Sequence, residues 1–157
     1  MPDGLWWVLI VVAGLFAFWF VLIPLFERFA PPAIVRRYQR LTTPLFRTSA
    51  GFCPGFGVLE TIGRKTGLPR QTPVGGKVKG DTFWFVAGIG KKTFYMRNIE
   101  ANPRVRVRAL GRWRAGTAHP CPEDNWKRRR FTVSPINGVF LWIAGGTGLT
   151  VRIDLDD

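Results

Sequence analysis

Three cations, two glycines and two prolines share the fourteen residues Glu60–Pro73 (ETIGRKTGLPRQTP), which lie between two apolar runs. Gly63 and Gly67 permit positive φ, so the backbone can turn sharply and face its N–H groups outward. Arg64, Lys65 and Arg70 add long cationic arms beside those donors. The combination suits an anion, with a phosphate or polyanionic tail as first choice. The same composition also describes a solvated basic turn, and the loop alone does not decide between the two. A second loop, Gly88-Ile89-Gly90-Lys91-Lys92, precedes a helical stretch from Phe94. Free N–H groups and the helix dipole favour an anion there, although the Rossmann spacing is absent. Two such loops can grip one ligand from two sides.

Other chemistries find little material. Cys53, Cys121 and His119 cannot complete a four-ligand zinc site at any recognised spacing, so no metal is expected. Isolated thiols in a reducing compartment are the favoured reading, with a disulfide as the minor alternative. Ser134 has no His or acid at triad-like spacing, and no paired carboxylates occur. Trp126–Phe131 (WKRRRF) brackets four cations with aromatics, as some nucleic-acid patches do. A solvated helix face is the commoner meaning, and no nucleic-acid partner is expected.

The elements that must position these loops follow from the rest of the chain. Its 157 residues allow one compact domain plus an attachment. Lys and Arg number 23 against 10 Asp and Glu, a formal net charge of +13 that favours anionic partners. Hydrophobic residues at 46% exclude a disordered basic tail. No charge interrupts Leu5–Phe26. At about 1.5 Å per residue this run spans roughly 33 Å, enough for a bilayer core. Trp6, Trp7, Trp19, Phe20 and Phe26 stand near its ends, as an aromatic belt requires. Without a basic start or a cleavage site it reads as an uncleaved anchor, residues 1–29. Arg28, Arg36, Arg37, Arg40 and Arg47 all follow it. The positive-inside rule then predicts a single-pass protein of the cell membrane, N-terminus outside and domain cytoplasmic. Those arginines face anionic lipid headgroups. Residues 30–55 form a basic juxtamembrane segment: a helix break at Ala30-Pro31-Pro32, a short amphipathic helix over Ala33–Leu41, then a linker from Thr42.

Residues 56–157 read as one strand-rich domain. Strands are predicted at Phe56–Thr61, Arg70–Lys79, Thr82–Ala87, Arg104–Leu110, Trp113–His119 and Thr150–Leu155, with helices at Phe94–Ala101 and Pro122–Phe131. Arg104–Leu110 (RVRVRAL) shows the clearest two-residue period. Val139–Ala144 is too short to span a membrane and reads as core or pocket wall. Hairpin connections make this mainly β (α+β): a six-stranded antiparallel split β-barrel with short helices, preceded by one N-terminal transmembrane helix.

Two segments, VLETIGRKTGLPRQTPV at Val58–Val74 and GIGKKTFYMRNIEANPRVRV at Gly88–Val107, resemble the deazaflavin-dependent nitroreductase family of the flavin-type split β-barrel superfamily. The resemblance covers most of the central domain, but neither the anchor nor the C-terminal third. It implies an F420-dependent oxidoreductase of nitroreductase or quinone reductase type. The coenzyme would be F420, an 8-hydroxy-5-deazaflavin with a phosphate and an oligoglutamate tail, with FMN the less favoured occupant. By resemblance Arg64, Lys65 and Arg70 hold the phosphate and glutamates, and Thr72, Pro73 and Val74 run along the ring. Gly88, Gly90, Lys91 and Lys92 serve the phosphate side, and Asn98 matches a family asparagine near the cofactor. The acceptor would be a small electron-poor molecule, a quinone or nitro compound. Relatives acting on such acceptors carry C-terminal tyrosines, whereas this chain has only Tyr38 and Tyr95. Tyr95, Trp126, Phe140 and Trp142 are the substitute substrate contacts, although aromatics of this kind are more often core. Gly75-Gly76 replaces a bulkier apolar pair, which would either widen the groove or mark a paralogue that no longer binds the coenzyme well. The resemblance also implies pairing of two barrels into a homodimer. The alternatives are a non-catalytic F420- or flavin-binding carrier module and a basic adaptor at the membrane surface.

Overall fold

The computed structural model describes residues 4–156, the side chains at 16, 19, 20, 32, 36, 39, 40 and 45 excepted. Its centre is a closed antiparallel barrel, β1 (Phe56–Ile62), β2 (Pro69–Lys79), β3 (Thr82–Ala87), β4 (Arg104–Ala109), β5 (Arg112–Cys121) and β6 (Leu149–Leu155). Round the barrel the order is β1-β2-β3-β6-β5-β4, which leaves no free sheet edge. Alternation sets the faces. In β4, Val105 and Val107 enter the core while Arg104 and Arg106 stay outside; in β6, Val151, Ile153 and Leu155 point inward. Leu59, Phe83, Phe85, Met96 and Ile99 fill the centre at 0–2% exposure. The β4–β5 hairpin turns through Leu110 and Gly111, both at positive φ (50° and 81°).

Two of the barrel's glycines serve its packing. A Cβ on Gly57 or Gly76 would run into the ring of Phe83, which is wholly buried. Gly75 lies under the side chain of Asn137, with which an added Cβ would collide. The expected widening at Gly75-Gly76 is therefore corrected: one notch takes a core ring, the other a side chain from outside the barrel.

The helices are α1 (Gly4–Phe29), α2 (Pro32–Ala50), α3 (Phe94–Ala101), α4 (Trp126–Val133) and α5 (Pro135–Ala144). The break at Ala30-Pro31 is where the prolines predict it, with Pro32 in the first turn of α2, where a missing N–H costs nothing. The linker expected from Thr42 is instead a continuation of α2 through Pro44 to Ala50. Packing of α2 on β1 and β2 holds that continuation despite the lost backbone bond. The helix expected over Pro122–Phe131 begins later, at Trp126, where the Asn125 side chain accepts from the Arg128 N–H. Val139–Ala144 belongs to α5, which ends at Gly145 with φ 68°.

The expected transmembrane anchor is helical but not established as a span. Among the described residues no helix is long and apolar enough to cross a membrane. The side chains of Phe16, Trp19 and Phe20 lie outside the described residues. The described apolar stretch ahead of them, Leu5–Leu15, covers roughly 17 Å at about 1.5 Å per residue, against a bilayer core of about 30 Å. The other end of α1 packs against the domain. Arg28 donates from Nη1 to the Ile143 carbonyl at 3.3 Å, and Leu25, Arg28, Trp142 and Ile143 line a cleft of about 280 Å³ between α1 and α5. Of the juxtamembrane arginines, the side chains of Arg36 and Arg40 also lie outside the described residues.

Candidate functional site

The loop between β1 and β2 closes largely on itself. Gly63 donates to the Leu68 carbonyl at 2.9 Å, and Thr66 and Gly67 both donate to the Gly63 carbonyl at 3.1 and 2.7 Å. The Leu68 N–H reaches the Thr66 hydroxyl at 3.4 Å. Gly67 takes positive φ (65°) as expected. Gly63 does not; it is crowded instead, since a Cβ would sit 2.8 Å from the Thr66 hydroxyl and 3.1 Å from the Leu68 carbonyl. The Arg64 N–H is taken by Asn98 Oδ1 at 3.2 Å. The expectation that this loop faces its amides outward is thus corrected. What it offers an anion is side-chain charge: Arg64, Lys65 and Arg70 are all exposed.

The second loop follows β3. Gly90–Lys92 forms one 3-10 turn, with Thr93 donating to the Gly90 carbonyl from both its N–H and its hydroxyl. Gly90 needs its positive φ of 57°. Its free face is already filled, because an added Cβ would lie 2.6 Å from the Thr147 carbonyl. At Gly88 the equivalent neighbour is Leu141 of α5, at 2.6 Å. These glycines therefore admit the segment after α4 rather than a ligand. Lys91 and Lys92 remain exposed.

Asn98 ties the first loop to α3. It sits on the buried face of α3, 8% exposed, and α3 starts directly after the lysine turn. Its Oδ1 accepts from Arg64 N–H, and its Nδ2 donates to the Thr61 hydroxyl at 3.0 Å. The first loop is thus tied to α3, the helix whose N-terminal end follows the turn carrying Lys91 and Lys92. Among the described residues, none of Arg64, Lys65, Arg70, Lys91 and Lys92 makes an ion pair. Such a set of exposed, unpaired cations attracts anions. A ligand with several negative charges along a tail fits it, and the tail-bearing deazaflavin implied by the resemblance has that chemistry.

The remaining sequence-predicted residues divide. Thr72 and Pro73 are half-buried on β2, but Val74 turns inward, 7% exposed, into the core. Tyr95 packs against Phe85, ring centroids 6.1 Å apart, and burial pushes its phenol up to about 12. It is a core contact. Trp126 lies under Gly148 and beside the Arg130 guanidinium, 5.3 Å from its ring centre. Phe140 is half-buried, and Trp142 is 64% exposed on the α1–α5 cleft. The aromatics proposed as substrate contacts are therefore scattered. Sequence reasoning missed Asn137, which covers Gly75; Leu141, which covers Gly88, lies in the Val139–Ala144 run read as core or pocket wall. The only signal for these contacts was the pairing of Gly75 and Gly88 with bulk elsewhere, which one sequence does not reveal.

Two arginines of α4 are engaged. Arg129 is held by Asp124 through two 2.9 Å bonds and lies 4.5 Å above Trp84. Arg130 stacks on Trp126 and Phe131, so half of the WKRRRF run supports the fold. Cys53 and Cys121 are free thiols. Among the described residues no group of His, Cys, Asp or Glu could hold a metal ion.

Comparison with known proteins gives this geometry its context. The sequence pattern of a family described as F420H(2)-dependent quinone reductase matches residues 33–155, all of the barrel and α2 but not α1. No curated protein matches the chain. Among solved structures, General Stress Protein 26 from Bacillus anthracis str. Sterne is similar with a TM-score of 0.51 at 18% identity, over 70% of this chain and 86% of that one. A domain-swapped dimer gives 0.51 at 17% identity, over 78% and 99%. At those identities the likeness shows a shared fold. An F420-H2 dependent reductase, FDR-A, gives 0.48 at 18% identity, over 63% and 93%.

Proposed function

This chain belongs to the F420H(2)-dependent quinone reductase family and is an oxidoreductase whose coenzyme is F420; from that premise we propose that it reduces a quinone, or a similarly electron-poor nitro compound, at a membrane. The observation that carries the site assignment is the set of five exposed cations on two loops, the first bonded through Asn98 to the helix that follows the second. Arg64, Lys65, Arg70, Lys91 and Lys92 would hold the phosphate and glutamate carboxylates. Charge-assisted bonds of this kind fix a flexible tail well. Thr72 and Pro73 would border the ring, and Asn137 and Leu141 would close its far side against water. When bound, F420 supplies the hydride from its deazaflavin ring, and the protein supplies position. FMN, which has a phosphate but no glutamates, uses fewer of these cations and is the less favoured ligand.

The membrane part of the proposal rests on α1. Leu5, Trp6, Trp7 and Ile10 are each more than half exposed, apolar surface that is unfavourable in water. An orientation with the N-terminus outside and the barrel in the cytoplasm follows from the cations after the helix. Pairing of two barrels is included in the proposal, and sedimentation of the detergent-solubilised chain measures it directly.

The test is oxidation of reduced F420 by the full chain in detergent or proteoliposomes, with and without a menaquinone analogue. Acceleration by the quinone is expected, stronger in proteoliposomes than for the chain shortened to residues 33–157. Equal rates with and without quinone would sink the acceptor assignment. Equal rates for the long and short chains would sink the role given to α1.

A further inference from the structure

Asparagine is a poor choice for the interior of a helix, because its amide competes with the backbone for hydrogen bonds. Asn98 nevertheless occupies the buried face of α3, between Met96 and Ile99, both nearly inaccessible. Its two amide ends have separate partners. Arg64 N–H can only donate, so the oxygen of Asn98 must face it, and the nitrogen then faces the Thr61 hydroxyl. Thr61 is itself 1% exposed, on β1 just before the loop. The amide therefore spans the root of the cationic loop and its first cationic residue. Of the six amides from Gly63 to Leu68, those of Gly63, Thr66, Gly67 and Leu68 are bonded within the loop, and that of Arg64 is bonded from α3.

We propose that Asn98 is a positioning residue: it touches no ligand, and it fixes the Arg64–Lys65 end of the loop against α3 so that those cations and Lys91–Lys92 face one anion together. The argument is geometric. With both amide ends taken and 8% exposure, Asn98 has little left to offer a ligand. Removing it frees a turn whose other bonds are all local. The loop can then keep its shape and still lose its orientation toward the lysines. This inference rests on the reading that the two loops hold the coenzyme's anionic tail.

Two measurements test it. The first needs no coenzyme: amide hydrogen exchange on the full chain in detergent. In Asn98→Ala the Arg64 N–H should exchange at least tenfold faster, while Gly67 N–H, bonded inside the loop, should change less than about twofold. Asn98→Asp keeps an acceptor for Arg64 and should restore most of that protection. Unchanged Arg64 exchange in Asn98→Ala overturns the clamp. The second is a double-substitution cycle read by F420 titration. Asn98→Ala alone should weaken F420 about tenfold, and in an Arg64→Ala, Lys65→Ala background it should weaken it less than about twofold further. Full additivity would mean that Asn98 acts on the ligand by another route, and the proposal fails. Should Asn98→Ala not fold, Thr61→Val, nearly the same shape without the hydroxyl, tests the same arrangement and should give the same non-additivity with a smaller loss. If the unmutated chain binds no F420, the coenzyme placement fails, and the exchange measurement still decides whether the clamp exists.

Discussion

Strand β4 and the two glycine–lysine loops carry the same kind of residue to opposite ends. On β4, Arg104 pairs with Asp156 at 2.6 Å, and Arg106 pairs with Glu60 at 3.1 Å while lying over Trp113. Arg108 donates to the Arg47 carbonyl at 2.9 Å and stacks on Phe52 and Trp113. Every one of these arginines is a strut between elements of the fold. In the loops, Arg64, Lys65, Arg70, Lys91 and Lys92 find no ion pair among the described residues. A chain with 23 cations and 10 acids must leave many cations unmatched. What matters is where they are left: scattered cations serve solubility, whereas unpaired cations carried on two glycine-bearing loops suit an anionic ligand.

The sharpest way to break that contrast is to delete each set. Arg64→Ala, Lys65→Ala and Arg70→Ala together should weaken F420 at least a hundredfold, about 2.7 kcal/mol. Stability in urea should hold or rise slightly as repulsion is relieved. Arg104→Ala, Arg106→Ala and Arg108→Ala together should do the reverse. They should lower the urea midpoint measurably, given half-exposed pairs and cation–π contacts, and leave F420 affinity within about threefold. A loss of affinity as large for the strand set as for the loop set would end the distinction.

Gly75→Ala sharpens the boundary between the cationic end and the sheet beyond it. The new methyl would collide with Asn137, whose side chain can move only by displacing α5. The expected cost is about 1–2 kcal/mol, as for other overpacked sites. In an Asn137→Gly background, which removes the Cβ that would lie 2.5 Å from the new methyl, Gly75→Ala should cost much less. Recovery of stability, measured by urea denaturation, shows the notch to be a packing contact. A stable Gly75→Ala chain with the Asn137 side chain unmoved contradicts the assigned fit.

The barrel was legible because its strands repeat with period two and its turns are marked by glycine. Arg104–Ala109 needs nothing but its own alternation to declare a half-buried strand. Helix α2 was cut short on paper because Pro44 and its polar neighbours look like a linker, and only packing on β1 and β2 reveals the helix. Helix α5 had its signals, Pro135 at the start and Gly145 at the end, but so short an apolar run reads equally as strand or wall. In the site, the cations were readable from type and spacing. The fate of the loop's amides was not. The partner of Arg64 N–H lies 34 residues away on α3, and the occupant of the Gly75 notch lies on α5. Pairings of that kind are properties of the folded chain.

The smallest effect concerns an arginine that is paired like those of β4 but lies within the cationic WKRRRF run of α4. The guanidinium of Arg129, bonded twice to Asp124, holds that carboxyl below its ordinary value of 3.8. The unfolded chain therefore takes up a proton at a higher pH than the folded one. The pair's stabilisation is fully present above about pH 4 and is lost as the pH falls through the lowered folded value. Both side chains are partly exposed, so the contribution is under about 1 kcal/mol. Asp124→Asn should cost up to that amount at pH 7 and progressively less as the pH falls through the lowered value, and F420 affinity at pH 7 should not move. If affinity falls along with stability, Arg129 belongs with the loop cations rather than with the struts of β4.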